Sequence, residues 1–551
     1  MGLYKDKKVL IIDDFPEFRM SLRQMLLSIK VEDIHMASTG EEALRMCQKN
    51  IFDVVLCDYN LGDGKDGQQL LEELREYKLL NHSAIFMMLT AESTAFMVMG
   101  AMENSPDAYL TKPFTRQDLA ARLDRLIIFK EEMEPINDAL NIDDQEEALQ
   151  ACKRLILARS KVSSQALRMQ SAILMRMKRF DEAEKIFTAV IKARSVPWGH
   201  LGLARCFFLR QEFDLAQIEA EKVLKLNDNF LDGHDLLAEI FLAKGDSKSA
   251  QKILAKAIAK SSKSPKRQHR LGEVAKQNND METATRALRR TVELSQHGLH
   301  QNPNNVLDWV EVLRDKAASD SSLSGKRAAS DALGALDKYK KEIRKDPNTN
   351  VLSKVLESKI YHTQHKEKEA IKAAKDAKKL HETLGDDVGP QVLVELAETM
   401  LDISEFEDAA ILLAQLDSAD LAGVDNPEKL KKSIEAMLKN PELAEFHNAL
   451  NPDNQKGIEY YDQGLYEEAL ESFRIAVVAT DNSISVNLNL AQNLIKMMQL
   501  QSKVDRDLLS ESSGCFIRIG AVEPDNPRFK RYAELQRLQQ SYEAKLAAEK
   551  K

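Results

Sequence analysis

The stretch Val54-Val55-Leu56-Cys57-Asp58 decides the reading of this chain. It is a short apolar run of strand length that ends on a carboxylate. Two further pieces converge on it: Asp13-Asp14 follows Val9-Leu10-Ile11-Ile12, and Lys112-Pro113 follows Ala108-Tyr109-Leu110-Thr111. Strand-like runs at 9–12, 34–37, 54–57, 84–89 and 108–111 alternate with helix-like patterns near 17–28, 41–48, 68–77, 95–102 and 116–128. That alternation predicts an α/β doubly wound, five-stranded parallel sheet, in which sites lie beyond the carboxyl ends of the strands.

Asp13, Asp14, Asp58, Thr90 and Lys112 all fall at such ends. Clustered carboxylates repel one another and call for a hard divalent cation with oxygen ligands, Mg²⁺ being the natural choice. Asp14 and Asp58 would supply ligands, Asp13 a water-mediated one, and the backbone carbonyl of Asn60 another. The Asp58 carboxylate is then a nucleophile toward a phosphoryl group, with Lys112 and the Thr90 hydroxyl placed to contact the phosphoryl oxygens. Taken singly these residues say little. An aspartate at a strand end is ordinarily a cap or turn residue, and hydroxyls and Lys-Pro dipeptides are common there. Their joint order on successive strand ends carries the reading. Proline after Lys112 also favours a cis peptide that would fix the lysine.

With Asp13-Asp14, Asp58, Thr90-Ala91, Tyr109 and Lys112-Pro113-Phe114 in place, residues 7 to about 128 resemble the flavodoxin-like receiver domain of bacterial two-component response regulators. The resemblance implies that Asp58 accepts a phosphoryl group from a sensor histidine kinase. It further implies that Thr90 moves toward the acyl phosphate, that Tyr109 turns inward as the switch aromatic, and that the domain can dimerise near the fifth strand. One departure stands out. After the acceptor the chain reads Asp58-Tyr59-Asn60-Leu61-Gly62-Asp63-Gly64-Lys65-Asp66-Gly67, a longer, acidic, glycine-rich loop where the family usually has a proline four residues on.

Beyond Glu131-Glu132-Met133-Glu134-Pro135, an acidic linker or helix break, strand signals vanish. An aromatic or apolar residue stands three before an alanine at Phe180/Ala183, Phe213/Ala216, Met281/Ala284, Phe406/Ala409 and Tyr466/Ala469. Ala216, Ala250 and Ala284 recur at intervals of 34, as do Leu203-Ala204, Leu237-Ala238 and Leu271-Gly272 upstream. Small residues at a fixed period let antiparallel helices approach closely, and the pattern resembles the tetratricopeptide repeat (TPR). Gly457, Tyr460, Gly464, Tyr466, Ala469, Phe473 and Ala476 make the best single match. The expected organisation is a receiver at 1–130, a linker at 131–135, helical repeats at 136–296, an irregular helical connection at 297–350, further repeats at 351–500, and capping helices with a tail at 501–551. Such a helical-hairpin solenoid offers a surface for a protein or peptide partner and implies no catalytic group.

Composition narrows the rest. The chain has 551 residues, 43% hydrophobic and 30% charged, which is too long for one core. A net charge of −9 gives no overall basic field, and the lysine-rich helices are interleaved with acids, so no nucleic-acid binding is expected. The five cysteines form no C-x-x-C pair, and no run reaches the roughly 18 apolar residues of a membrane span, so a cytoplasmic protein without membrane insertion is expected. His362 and His365, three apart, read as a solvated helix face. No P-loop, nucleophile elbow or helix-turn-helix is present. The expected function is therefore not an enzyme but an adaptor: phosphorylation of Asp58 would control protein binding by the repeats. The alternatives are a phosphate sink that competes for a kinase and, third, a transcriptional regulator.

Overall fold

The computed structural model describes residues 3–62, 64–91, 106–296, 298, 301–417, 427–480, 483–501, 504–524, 526 and 528–549. The chain divides into two compact units, Met1–Val312 and Leu313–Lys551.

The first unit opens with five strands, β1 (Lys8–Ile12), β2 (Asp33–Ala37), β3 (Val54–Asp58), β4 (Ile85–Thr90) and β5 (Ala108–Thr111). They form one sheet in the order β2-β1-β3-β4-β5 with every pair parallel. The described helices of this sheet domain are α1 (Pro16–Ser28), α2 (Gly40–Lys49), α3 (Gly67–Glu76) and α4 (Arg116–Glu132). The helix expected at 95–102 lies outside the described residues.

Alternation of side chains along the strands divides the core in two. Val9, Ile11, Leu56, Met87 and Leu89 pack with Leu22 and Leu26 of α1 and with Leu119 and Leu123 of α4. Leu10, Ile12, Val55, Phe86 and Met88 pack with Ala43 of α2 and with Leu70, Leu71 and Leu74 of α3. Both faces are covered, which is why β3 and β4 read as unbroken apolar runs. The helix starts are chemically fixed. The Thr39 side chain accepts from the Glu42 N–H, and Asp66/Gln69 and Thr115/Asp118 form reciprocal capping boxes.

α4 is followed after one buried residue, Met133, by a helix at Glu134–Asn141, and helical hairpins continue from there. First helices begin at Ser163, Pro197, Leu231 and Pro265, each 34 residues after the last, and their partners begin at Phe180, Phe213, Ser247 and Met281. The marker residues Ala183, Ala216, Ala250 and Ala284 are fully buried at 0% exposure, where a larger side chain would force the helices apart. At the hairpin turns Lys178, Gln211, Gly245 and Asn279 each take a positive φ, a left-handed residue that reverses the chain. Close approach recurs both between neighbouring hairpins and inside them. A Cβ on Gly202 would lie 2.2 Å from the Phe187 ring, and one on Gly272 would lie 2.5 Å from Leu288 Cγ.

The second unit repeats this plan. Pro347–Thr363 pairs with Glu367–Leu384, Pro390–Asp402 with Phe406–Asp417, Pro452–Asp462 with Tyr466–Ala479, and Ile484–Leu500 with Arg506–Ile519. Ala370, Ala409 and Ala469 are fully buried. The final helix, Phe529–Glu549, sets Tyr532 and Leu535 into a core with Leu494 and Met498. One expectation is corrected. The helix containing His362 ends at Thr363, so His365 lies in the turn at φ +57°, and His362 Nδ1 instead meets Glu367 Oε2 at 3.3 Å. Within 297–350 lie helices at Asn304–Ser319, Leu323–Lys338 and Lys340–Ile343. Among the described residues no helix is long and apolar enough to cross a membrane.

Candidate phosphoryl-acceptor site

The carboxyl ends of β1, β3, β4 and β5 bring the predicted residues together. Parallel register sets Ile12 beside Cys57, Asp58 beside Leu89 and Thr90 beside Thr111, so the residues that follow share one edge of the sheet. Ligand oxygens of Asp13, Asp14 and Asp58 all lie within 4.8 Å of one another.

Lys112 ties this cluster. Its Nζ stands 2.8 Å from Asp13 Oδ2 and 3.0 Å from Asp58 Oδ2, and 3.9 Å from the centre of the Phe18 ring. Its backbone N–H donates to the Thr90 carbonyl at 2.7 Å, and the peptide to Pro113 is cis. The lysine is therefore anchored at both its backbone and its ammonium group, with the aromatic face adding a cation–π contact. Asp13 is fully buried and well supplied: Oδ1 accepts the Phe15 N–H at 2.9 Å, Oδ2 accepts Lys112, and Arg19 donates to its carbonyl.

Asp14 is different. Its Oδ1 is buried with no hydrogen-bond partner among the described residues, and a buried carboxylate oxygen without a donor is costly. A cation there would supply what the protein does not, so the donor set fits a divalent metal held by oxygen. Burial raises the Asp58 carboxyl above its ordinary value; Lys112 opposes that shift, while Asp13 adds to it. A further positive charge beside Asp58 would favour its ionised form.

Thr90 is buried at the end of β4, and Ala91 after it is exposed. Tyr109 is half-buried on the face shared with Phe86 and Met88, and burial pushes its hydroxyl up to about 12. Asn60 lies exposed in the loop after β3. Asp13, Asp14, Asp58 and Lys112 thus lie together as sequence order implies, but three neighbours were not foreseen. Phe18 and Arg19 brace Lys112 and Asp13 from α1, and both look like ordinary helix residues in sequence. Gly67 opens α3 against the acceptor itself: a Cβ there would lie 2.4 Å from the Asp58 carbonyl oxygen. Its signal was the glycine closing the unusual loop.

A five-stranded parallel sheet in this order, with an acidic cluster and a lysine at its carboxyl edge, defines a receiver of the CheY type. Residues 9–124 match the response regulator receiver domain. The chain belongs to the response regulator family through this domain. It is 33% identical over 124 residues to chemotaxis protein CheY-3 of Vibrio cholerae serotype O1, covering 22% of this chain and 94% of that protein. It is 30% identical over 119 residues to chemotaxis protein CheY of Pseudomonas aeruginosa, with the same coverage of 22% and 94%. Among solved structures, Vibrio cholerae CheY4 at low pH is similar with 26% identity and a TM-score of 0.20, over 22% of this chain and 98% of that one.

Proposed function

We propose that this protein is a phosphorylation-controlled adaptor of a two-component system. The observation that carries the reading is the Asp13–Lys112–Asp58 bridge beside the unpartnered Asp14 oxygen, all on one sheet edge. Asp58 is the acceptor. Its carboxylate oxygen forms a bond to phosphorus as the bond to the histidine nitrogen of a sensor kinase breaks, so the phosphoryl group passes from one side chain to the other. Lys112, already fixed by two carboxylates and a ring, orients the incoming phosphoryl oxygens, and the Thr90 hydroxyl approaches them. Asp14, Asp58 and the Asn60 carbonyl would hold Mg²⁺ directly, with Asp13 acting through water. Bound there, the ion neutralises charge on the transferring group.

The output is a protein contact, made by the TPR-like hairpins of 136–296 and 351–500. Supporting this are the 34-residue spacing of helix starts and the fully buried alanine at equivalent places in successive hairpins. Arrays of this kind present extended binding surfaces. In this reading the protein acts in the cytoplasm, Tyr109 follows Thr90 as the switch aromatic, and dimerisation near β5 is a further consequence of phosphorylation.

The test is affinity capture of partners with wild type and Asp58→Ala side by side, at known phosphorylation of the wild type. Different partner sets support the adaptor. Identical sets, together with a phosphoryl group lost quickly from Asp58, favour a receiver that only drains phosphoryl groups from its kinase.

A further inference from the structure

Beyond the Asn60 carbonyl, the acidic, glycine-rich loop after Asp58 has no assigned part in the phosphoryl chemistry, yet the structure gives it a neighbour. Lys263, in the turn between the helices Ser247–Lys260 and Pro265–Gln277, places its Nζ 4.7 Å from the centre of the Tyr59 ring. Tyr59 is the residue directly after the acceptor, and its carbonyl accepts the Gly67 N–H at 2.8 Å, closing the loop on itself. Burial raises the carboxyl of Asp66, which caps α3, and the same lysine opposes that shift.

One turn further along α3, Gln69 Nε2 donates to the Leu294 carbonyl at 3.0 Å, at the end of the helix Met281–Leu294. Gly298 completes the contact, since a Cβ on it would lie 3.4 Å from Gln69 Cβ. On the same stretch of α3, Glu73 is 4% exposed and paired with Lys65 of the loop at 2.6 Å. Two hairpin termini of the helical array therefore rest on the loop and first turns of α3. The contact is made by amides, charges and one ring face.

We propose that this face is the surface on which the receiver and its own repeat array communicate, with Lys263 as the residue through which the array senses the charge on Asp58. The inference rests on Asp58 being a phosphoryl acceptor and adds where the signal leaves the domain. Phosphorylation makes the acceptor more negative by about one charge. Lys263 lies beside the very next residue, so the added charge strengthens its hold on the loop and tightens the array against α3. By reciprocity the docked array favours the phosphorylated state by the same free energy. Lys263 is a positioning residue and touches no reacting atom.

The experiment uses the full chain with Mg²⁺ and acetyl phosphate as donor. Phosphorylation is read on a phosphate-affinity gel, and amide hydrogen exchange is followed in residues 59–70 and 259–266. Expected is exchange slowed several-fold in both segments of the phosphorylated wild type, with little change in Lys263→Ala and most of the effect kept in Lys263→Arg. Gln69→Ala should weaken the protection from the α3 side. Phosphorylation without added protection, or equal protection in Lys263→Ala, overturns the inference and leaves the acceptor reading intact. Failure of Asp58 to take up a phosphoryl group from either acetyl phosphate or a kinase overturns both.

Discussion

Replacing Gly67 by alanine tests whether the start of α3 sets the position of the acceptor. The added Cβ would stand 2.4 Å from the Asp58 carbonyl oxygen, 2.9 Å from Met88 Sδ and 3.1 Å from Cys57 Sγ. Even a close carbon–oxygen contact is about 3.3 Å, so the helix start and the Asp58 peptide must separate by about 1 Å. Met88 can yield by a rotamer change. The Asp58 peptide has less freedom, because β3 pairs with β1 on one side and β4 on the other. Overpacking of this kind costs roughly 1–3 kcal/mol, read as a lowered midpoint in urea. Displacing a reactive group by about 1 Å lowers the rate by about 100-fold, read as single-turnover phosphorylation from acetyl phosphate with Mg²⁺. Gly334→Ala is the control: among the described residues nothing lies within 4 Å of that Cβ, and a helix gains about 0.5–1 kcal/mol from the change. Should Gly67→Ala phosphorylate within about twofold of wild type and unfold at the same midpoint, α3 would not be the support on which Asp58 rests.

Asp58→Asn removes one of three clustered carboxylates and should stabilise the metal-free protein by about 1 kcal/mol at neutral pH, the lost Lys112 pairing offsetting part of the relief. Mg²⁺ should raise the urea midpoint of wild type more than that of the variant, and equal shifts would argue against Asp58 as a ligand. Gly457→Ala places a Cβ 2.6 Å from the buried Phe473 ring, so a loss of roughly 1–3 kcal/mol is expected. Phe473→Leu in the same chain should recover part of that loss, and simple additivity would refute the close contact. His269, 2.9 Å from Asp308 Oδ2 and 3.5 Å from Glu273 Oε2, is raised to about 10 by these two carboxylates. Its folded value lies above the unfolded value of about 6.5, so its stabilisation is complete below that pH and is lost as the pH rises through about 10. The stability gap between wild type and His269→Gln, about 1 kcal/mol for a partly exposed pair, should shrink between pH 6 and pH 10, which unfolding at several pH values would show.

The sheet was legible because β1, β3 and β4 are apolar runs that end on or just before a polar residue, and the strand runs are spaced by amphipathic patterns. Asp13, Asp14, Asp58, Thr90 and Lys112 were legible as a set because parallel topology turns sequence order at strand ends into proximity. The repeats were legible through Ala216, Ala250 and Ala284, whose period survives although the residues around them vary. Other features depended on partners that no local pattern announces. Phe18 reads as one apolar position of a helix, and only the fold brings Lys112, far along the chain, onto its ring. His365 was misplaced because its helical spacing from His362 outweighed the turn, where a left-handed residue ends the first helix of the pair. Gly67 looked like the end of a flexible loop, and its requirement comes from the carbonyl of the acceptor strand above it.

The chemistry of the contact between α3 and the helical array bears on whether a single phosphoryl group could control it. Gln69 with the Leu294 carbonyl, and Lys263 over Tyr59, are polar contacts worth about 0.5–1.5 kcal/mol each. A handful of such contacts gives a docking energy of the same order as the 1–3 kcal/mol, roughly, by which one ligand or charge usually biases another site. An apolar face of comparable extent would be held by burial that a change of one charge could not reverse. The acidic loop that departs from the family pattern therefore makes physical sense as the receiver's half of a weak electrostatic contact. Its two ends, Tyr59 and Asp66, meet the lysine, and its capped, glycine-opened helix keeps them tied to Asp58.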